Sequence, residues 1–208
     1  MVKPILFNTE MVRAILDGRK TVTRRCVKHN VDAILHSPYH TEHPEVPDNV
    51  LIEKLCQAPY QSGDILYIRE TWNYGYIESS DIPESREAWF EPVCSDYGDY
   101  IRALSGYFYK ADEDAPGKEI GMFWRPSIHM PKEAARIWLK ITDVRVERLQ
   151  DITEEQAKTE GAVDNTARED FINIWDSTIK KSDLDRYGWD ENPWVWVIEF
   201  ERCEKPEN

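Results

Sequence analysis

The chain has 208 residues and a mass of 24.5 kDa, with 26 Lys and Arg against 39 Asp and Glu and a formal net charge of −13. That length suits one domain, or one domain carrying a large insertion, and an apolar content of 41% excludes wholesale disorder. The longest apolar run, Trp194 to Ile198, has five residues against the ~20 of a membrane-spanning helix, and Met1 to Asn8 lack a secretory pattern, so a cytoplasmic chain with no membrane partner is expected.

Lys3 to Asn8 reads as a short strand, with Pro4 tolerable at its start or at a sheet edge. Thr9 is the predicted N-cap of a two-turn helix whose apolar stripe is Met11, Val12, Ile15 and Leu16, and Gly18 is a natural stop. The helix delivers the chain into Arg19-Lys20-Thr21-Val22-Thr23-Arg24-Arg25, where the β-branched residues favour extension. Residues 1–28 carry a net charge of +5 and the other 180 carry −18. One basic strip on an acidic body can steer a phosphate-bearing ligand; the competing reading is a solvated helix and strand.

Residues 29–62 read as a surface loop with one short helix near 48–56. His36, His40 and His43 would have ligand spacing only in a regular helix, which Pro38, Pro44 and Pro47 oppose, so no metal and no other cofactor is expected. The four cysteines, 30, 38 and 109 residues apart, form no CxxC and indicate neither a zinc ribbon nor a disulfide scaffold.

Gly63-Asp64 marks a turn into a strand from Ile65 to Trp72. Residues 73–120 read as an insertion, with Tyr107-Phe108-Tyr109 a strand inside it and a net charge of −7 over 77–120. Gly121 to Pro131 is a loop punctuated by Pro126 and Pro131. Ile137 to Leu149 is the longest strand signal. Ile137, Leu139 and Ile141 share a face but Val144 and Val146 change phase, which predicts a bulge near Thr142-Asp143.

Thr153 to Gln156 is a capping box that opens a short helix closed by Gly161. Thr166 to Glu169 is a second one, ahead of Phe171, Ile174, Trp175 and Ile179 on one helix face. After Asn192-Pro193, the alternation of Trp194, Trp196, Ile198 and Phe200 predicts a final strand. Five or six strands with three short helices predict an α+β fold, a small mixed β-barrel with short flanking helices. The helices are too few for repeated βαβ crossovers, so one domain over 1–208 is expected, interrupted at 73–120.

Four segments in this order resemble a family. Gly18 to Arg25 resembles the GxKxxxxR signature of the ASCH (activating-signal-cointegrator homology) family, and Gly63 to Glu70 resembles its second strand. The strand and helix of Ile141 to Gly161 and the closing strand Trp194 to Phe200 fall where that family has them. The likeness spans most of the chain outside about 26–62 and 73–120, and is nearest to longer bacterial and phage members, which carry a loop like Trp124 to Pro131. It implies a PUA-like β-barrel and RNA or a modified nucleoside as partner. Some compact members are amidohydrolases that remove the acetyl group of N4-acetylcytidine, using a Lys, a Thr and a Glu that fall by position on Lys20, Thr23 and Glu160. Others are linked to RNA cleavage.

Amide cleavage needs a nucleophile, a base for its proton and an acid for the leaving amine. Thr23 is the candidate nucleophile, with Thr21 competing because it shares a face with Thr23, whereas Lys20 and Thr23 alternate across a straight strand. Lys20 serves as base only if burial or neighbouring charge lowers its pKa, and Arg19, Arg24 and Arg25 supply that charge. Glu160 is the candidate acid, and Arg25, or else Arg24, the group that holds an oxyanion or phosphate. Arg125, Ser127 and His129 are expected to line the same pocket, and Trp72 to stack on a base. Two other functions fit these residues: a ribonuclease acting on single-stranded RNA, and a non-catalytic RNA or modified-base reader. In a third reading, Lys20 pairs with an acid such as Glu160 for structure alone.

Overall fold

The first helix is capped by Asn8 rather than Thr9: Asn8 Oδ1 accepts the Met11 N–H at 2.8 Å, which makes Thr9 the first helical residue. The computed structural model describes residues 1–78, 91–94, 100–112, 123–163 and 166–207. Within them the chain runs β1 (Val2–Leu6), α1 (Thr9–Leu16), β2 (Val22–Cys26), α2 (Val31–Leu35), α3 (Pro38–Glu42), α4 (Asp48–Leu55), β3 (Ile65–Arg69), β4 (Trp72–Glu78), β5 (Glu91–Cys94), β6 (Tyr100–Tyr109), β7 (Trp138–Arg148), α5 (Glu154–Thr159), α6 (Ala167–Thr178), α7 (Leu184–Tyr187) and β8 (Trp194–Cys203). It divides into two compact units, one of Met1–Lys3, Ala14–Leu66 and Ile137–Asn208, the other of Pro4–Arg13 and Tyr67–Arg136. Among the described residues no helix is long and apolar enough to cross a membrane.

A five-stranded sheet has the order β1-β3-β7-β8-β2, with β7–β8 and β8–β2 antiparallel. The α+β class therefore holds, but the sheet is open, with β1 and β2 at its two edges, and no barrel closes among the described residues. At the β2 edge the Thr21 N–H is taken by Thr159 O at 2.9 Å, so the end of α5 occupies the start of that edge. The register of β7 against β8 shifts between Ile141 and Asp143, the predicted bulge. Beyond it, Glu53 of α4 accepts the Val146 N–H at 2.8 Å, so a carboxylate satisfies a ladder donor.

The core on one side of this sheet joins Val22, Val195 and Val197 to Leu149, Ala157, Phe171 and Trp175. Burial of Phe171 and Trp175 puts the α6 stripe where its spacing predicts. The capping box of α5 is complete: the Gln156 N–H donates to Thr153 Oγ1 and the Thr153 N–H donates to Gln156 Oε1. The second predicted box does not form. Thr166 makes no side-chain cap, and Glu154 Oε2 instead accepts the Arg168 N–H at 3.1 Å in the first turn of α6. Residues 29–62 are more helical than expected. Asn30 and Ser37 cap α2 and α3, and Pro38 occupies the first turn of α3, where its missing N–H costs nothing.

The second unit holds the order β4-β6-β5, all antiparallel. The strand predicted over Ile65 to Trp72 is broken after Arg69, because Glu70 turns inward. Arg136 donates to both Glu70 oxygens at 3.0 Å, pairs with Asp112 at 2.6 Å, and lies 3.9 Å over the Tyr109 ring. Burial pushes the Glu70 carboxyl up against the opposing pull of Arg136. The predicted insertion, 73–120, lies within this unit as far as it is described, and its strand is longer than Tyr107 to Tyr109, reaching back to Tyr100.

In the first unit, burial alone would raise the Asp64 carboxyl, but the Lys3 ammonium at 2.8 Å, the Met1 amine and the Gln61 N–H hold it at about 2. A carboxyl lowered by folding stabilises the fold above its unfolded value and loses that contribution as pH falls through the folded one. Urea unfolding of the Asp64→Asn variant is therefore expected to cost roughly 2 kcal/mol at pH 7 and to flatten the loss of stability between about pH 4 and pH 2. A variant as acid-labile as the parent contradicts this.

Candidate functional site

The site begins with the way α1 stops. Gly18 has φ +75°, its N–H donates to Ile15 O, and the Arg19 N–H reaches back to Ala14 O at 2.9 Å, the paired bonds of a Schellman motif. The Lys20 N–H also donates to Ala14 O, at 3.0 Å. This reversal sets Lys20 in antiparallel register with Glu160, the C-cap of α5, before β2 begins. Gly161 follows with φ +94°, and a Cβ on it would lie 3.0 Å from Ala14 Cβ and 3.4 Å from Lys20 Cβ. Its missing side chain is the room in which the lysine stem packs.

Lys20, Thr23, Arg24 and Glu160 are all at least 95% buried. Lys20 Nζ donates to Glu160 Oε2 at 2.6 Å, to Val22 O at 2.7 Å and to Glu160 O at 2.8 Å. Arg24 Nη1 donates to Glu160 Oε1 at 3.1 Å, while its Nη2 meets Glu147 Oε2 at 3.3 Å and Gln156 Oε1 at 3.4 Å. The Phe171 ring lies 5.9 Å from the Arg24 guanidinium carbon. Glu147 also accepts from Arg145 Nε at 2.6 Å, and Arg145 pairs with Asp143 and Glu199. The result is one alternating run of charge, from Lys20 through Glu160, Arg24, Glu147 and Arg145 to Asp143 and Glu199.

Burial is the largest influence on Lys20 and lowers its pKa, since a dry site disfavours the ammonium. Glu160 opposes that shift, and the positive charges of Arg25 and Arg24 add to it. Arg25 is half-buried; its Nη1 donates to Arg24 O, and its charge acts on both Glu160 and Tyr60. Three cations and two carboxylates thus meet here.

Lys20, Arg24 and Glu160 are brought together. Thr23 stands opposite Ile198 in a regular register, on the face of β2 away from Val22 and Arg24. Thr21 is exposed, as is Arg19, which pairs with Asp17 at 2.9 Å and donates to Gly161 O at 3.2 Å.

Trp72, Arg125, Ser127 and His129 belong to the second unit. Trp72 and Arg125 exchange two backbone hydrogen bonds, at 2.8 and 3.2 Å, and the Arg125 guanidinium lies 5.3 Å from the Trp72 ring. Trp72 is 6% exposed, so its ring is packed against Arg125 and Tyr107 rather than open. Ser127 and His129 form a 3-10 turn, with His129 exposed. Of the other histidines, His40 pairs with Asp48 at 3.0 Å and His43 with Glu45 at 3.1 Å. No group of three or more metal-ligating side chains gathers among the described residues.

Glu147, Gln156 and Phe171 hold Arg24 and were not singled out by sequence. Gln156 carries a local signal, its capping box, but nothing local ties Glu147 to Arg24 across 123 positions.

No protein-family model, curated protein or solved structure matches this chain.

Breaking one side of a buried ion pair strands the other charge. Lys20→Met and Glu160→Met are each expected to cost about 3–5 kcal/mol in urea unfolding, and the Lys20→Met/Glu160→Met double variant less than their sum. Additive losses contradict a coupled pair. Gly161→Ala is expected to lose at least about 1 kcal/mol through its left-handed backbone and the Ala14 contact, read as a lower Tm; an unchanged Tm contradicts it.

Proposed function

We propose that this chain is an ASCH-type, PUA-like protein that recognises RNA or a modified nucleoside and hydrolyses the N4-acetyl amide of N4-acetylcytidine. The observation that carries this reading is the buried contact of Lys20 with Glu160 at 2.6 Å, in surroundings that lower the lysine pKa. The residues that the family resemblance assigns as base and acid are 140 positions apart in the chain and in direct contact.

A proton passed from Lys20 Nζ to Glu160 Oε2 along that contact yields an amine base and a carboxylic acid side by side, with no change in net charge. Thr23 lies on the face of β2 away from Arg24 and Glu160, so a water molecule gives its proton to the Lys20 amine as its oxygen bonds to the acetyl carbon. The oxyanion that forms is stabilised by the Arg25 guanidinium. As the C–N4 bond breaks, the Glu160 carboxyl gives its proton to N4, and cytidine leaves. Acetic acid departs, leaving the Lys20 ammonium and the Glu160 carboxylate as at the start, which completes the cycle.

Acetate release from N4-acetylcytidine is the test, comparing the native chain with Lys20→Ala, Thr23→Ala and Glu160→Gln, each checked for folding by circular dichroism. Turnover should fall at least about a hundredfold in the folded Lys20 and Glu160 variants and persist in Thr23→Ala. It should fall as pH rises through the lowered Lys20 pKa, because the one proton shared by Lys20 and Glu160 is then lost and N4 has no acid. Absence of turnover by the folded native chain sinks this substrate. Nucleoside binding without turnover moves the reading to a base-recognition module, and cleavage of single-stranded RNA moves it to a ribonuclease.

A further inference from the structure

We infer that Arg24 is a positioning residue of this site: it locks the Glu160 carboxylate so that Oε2 alone faces Lys20, and does not itself contact substrate. The inference rests on the amidohydrolase reading for its kinetic consequences but not for its geometry.

A guanidinium buried to 2% exposure is costly unless its surroundings repay the loss of water. Here the compensation is specific. Nη1 takes Glu160 Oε1, and Nη2 is shared between Glu147 and Gln156. The terminal torsion of a glutamate is broad and close to two-fold, so a carboxylate held at one oxygen can turn. Lys20 holds Oε2 and Arg24 holds Oε1, which fixes the plane and decides which oxygen exchanges a proton with the lysine.

Arg24 is in turn held from three elements. Glu147 of β7 is tied by Arg145, Gln156 of α5 is locked in the capping box with Thr153, and Phe171 of α6 lies against the guanidinium. Its Nε is enclosed and makes no hydrogen bond, so no part of the head group turns to solvent. The charged groups acting on Lys20 are Glu160, Arg25 and Arg24, and Tyr60 acts on Arg25. Removing Arg24 takes away one repulsion and leaves Glu160 to Lys20 alone, and both changes favour the ammonium.

The experiment compares native chain, Arg24→Met and Arg24→Lys by the NMR titration of the Lys20 side-chain nitrogen and by the pH dependence of acetate release from N4-acetylcytidine. In Arg24→Met the Lys20 midpoint should rise by about one pH unit. The falling limb of kcat should move up with it, and kcat should drop about 10–100-fold with KM nearly unchanged. Arg24→Lys should restore most of both. An unmoved Lys20 midpoint overturns the inference, and so does a raised KM with kcat intact, which would make Arg24 a substrate contact. If the native chain shows no turnover, the amidohydrolase reading fails while the titration still decides the role of Arg24. If Arg24→Met does not fold, Arg24→Gln removes the charge while keeping a side-chain donor toward Glu160 Oε1. A smaller shift of the same sign then supports the inference, and an unmoved midpoint overturns it.

Discussion

Glu160 sits 5% exposed between two cations, and the first unit is organised around what that requires. A carboxylate taken out of water costs several kcal/mol, recovered only when its lone pairs are filled by well-placed donors. Lys20 comes from the turn after α1 and Arg24 from β2, while Glu160 itself caps α5. Three separate elements must therefore be in place before the charge is satisfied. The Gly18 stop and the bare α-carbon of Gly161 both serve this contact, one by turning the lysine inward and the other by leaving space for its stem.

The same contact gives the site its chemical character. A surface ion pair would be screened by water and leave both groups near their ordinary pKa values. Enclosed, the ammonium is disfavoured by desolvation and by Arg25 and Arg24, and the carboxylate beside it keeps the shift in check. The alternating run onward to Arg145 and Glu199 spreads the stabilisation over β2, β7, β8 and α5, so no single pair carries it alone.

The second unit solves a similar problem with different parts. Glu70, 1% exposed, is gripped at both oxygens by Arg136, which also pairs with Asp112 and stacks on Tyr109. Both Glu70 oxygens accept from one guanidinium, and the Tyr109 hydroxyl donates to Ala134 O at 2.6 Å. This clamp has the character of a structural strut. Trp72, closed in by Arg125 and Tyr107, likewise presents little open ring surface.

Much of this was legible locally. The α1 stripe and its Gly18 stop, the complete Thr153–Gln156 box, the α6 face of Phe171 and Trp175, the alternation of β8 and the bulge after Ile141 all follow from interactions within a few residues, which a linear pattern records. The failures have equally physical causes. Asn8 outcompetes Thr9 as a cap, and Glu154 reaches across from another helix to do what Thr166 does not. The open sheet and the assembly around Glu160 depend on contacts between distant segments. The family resemblance names Lys20, Thr23 and Glu160 as candidates, and the basic strip adds Arg24. Only the folded chain decides that Glu160 is shared by Lys20 and Arg24, that Arg24 faces inward to Glu147, and that Thr23 lies on the other face of β2, because register and burial are properties of strands and helices brought together.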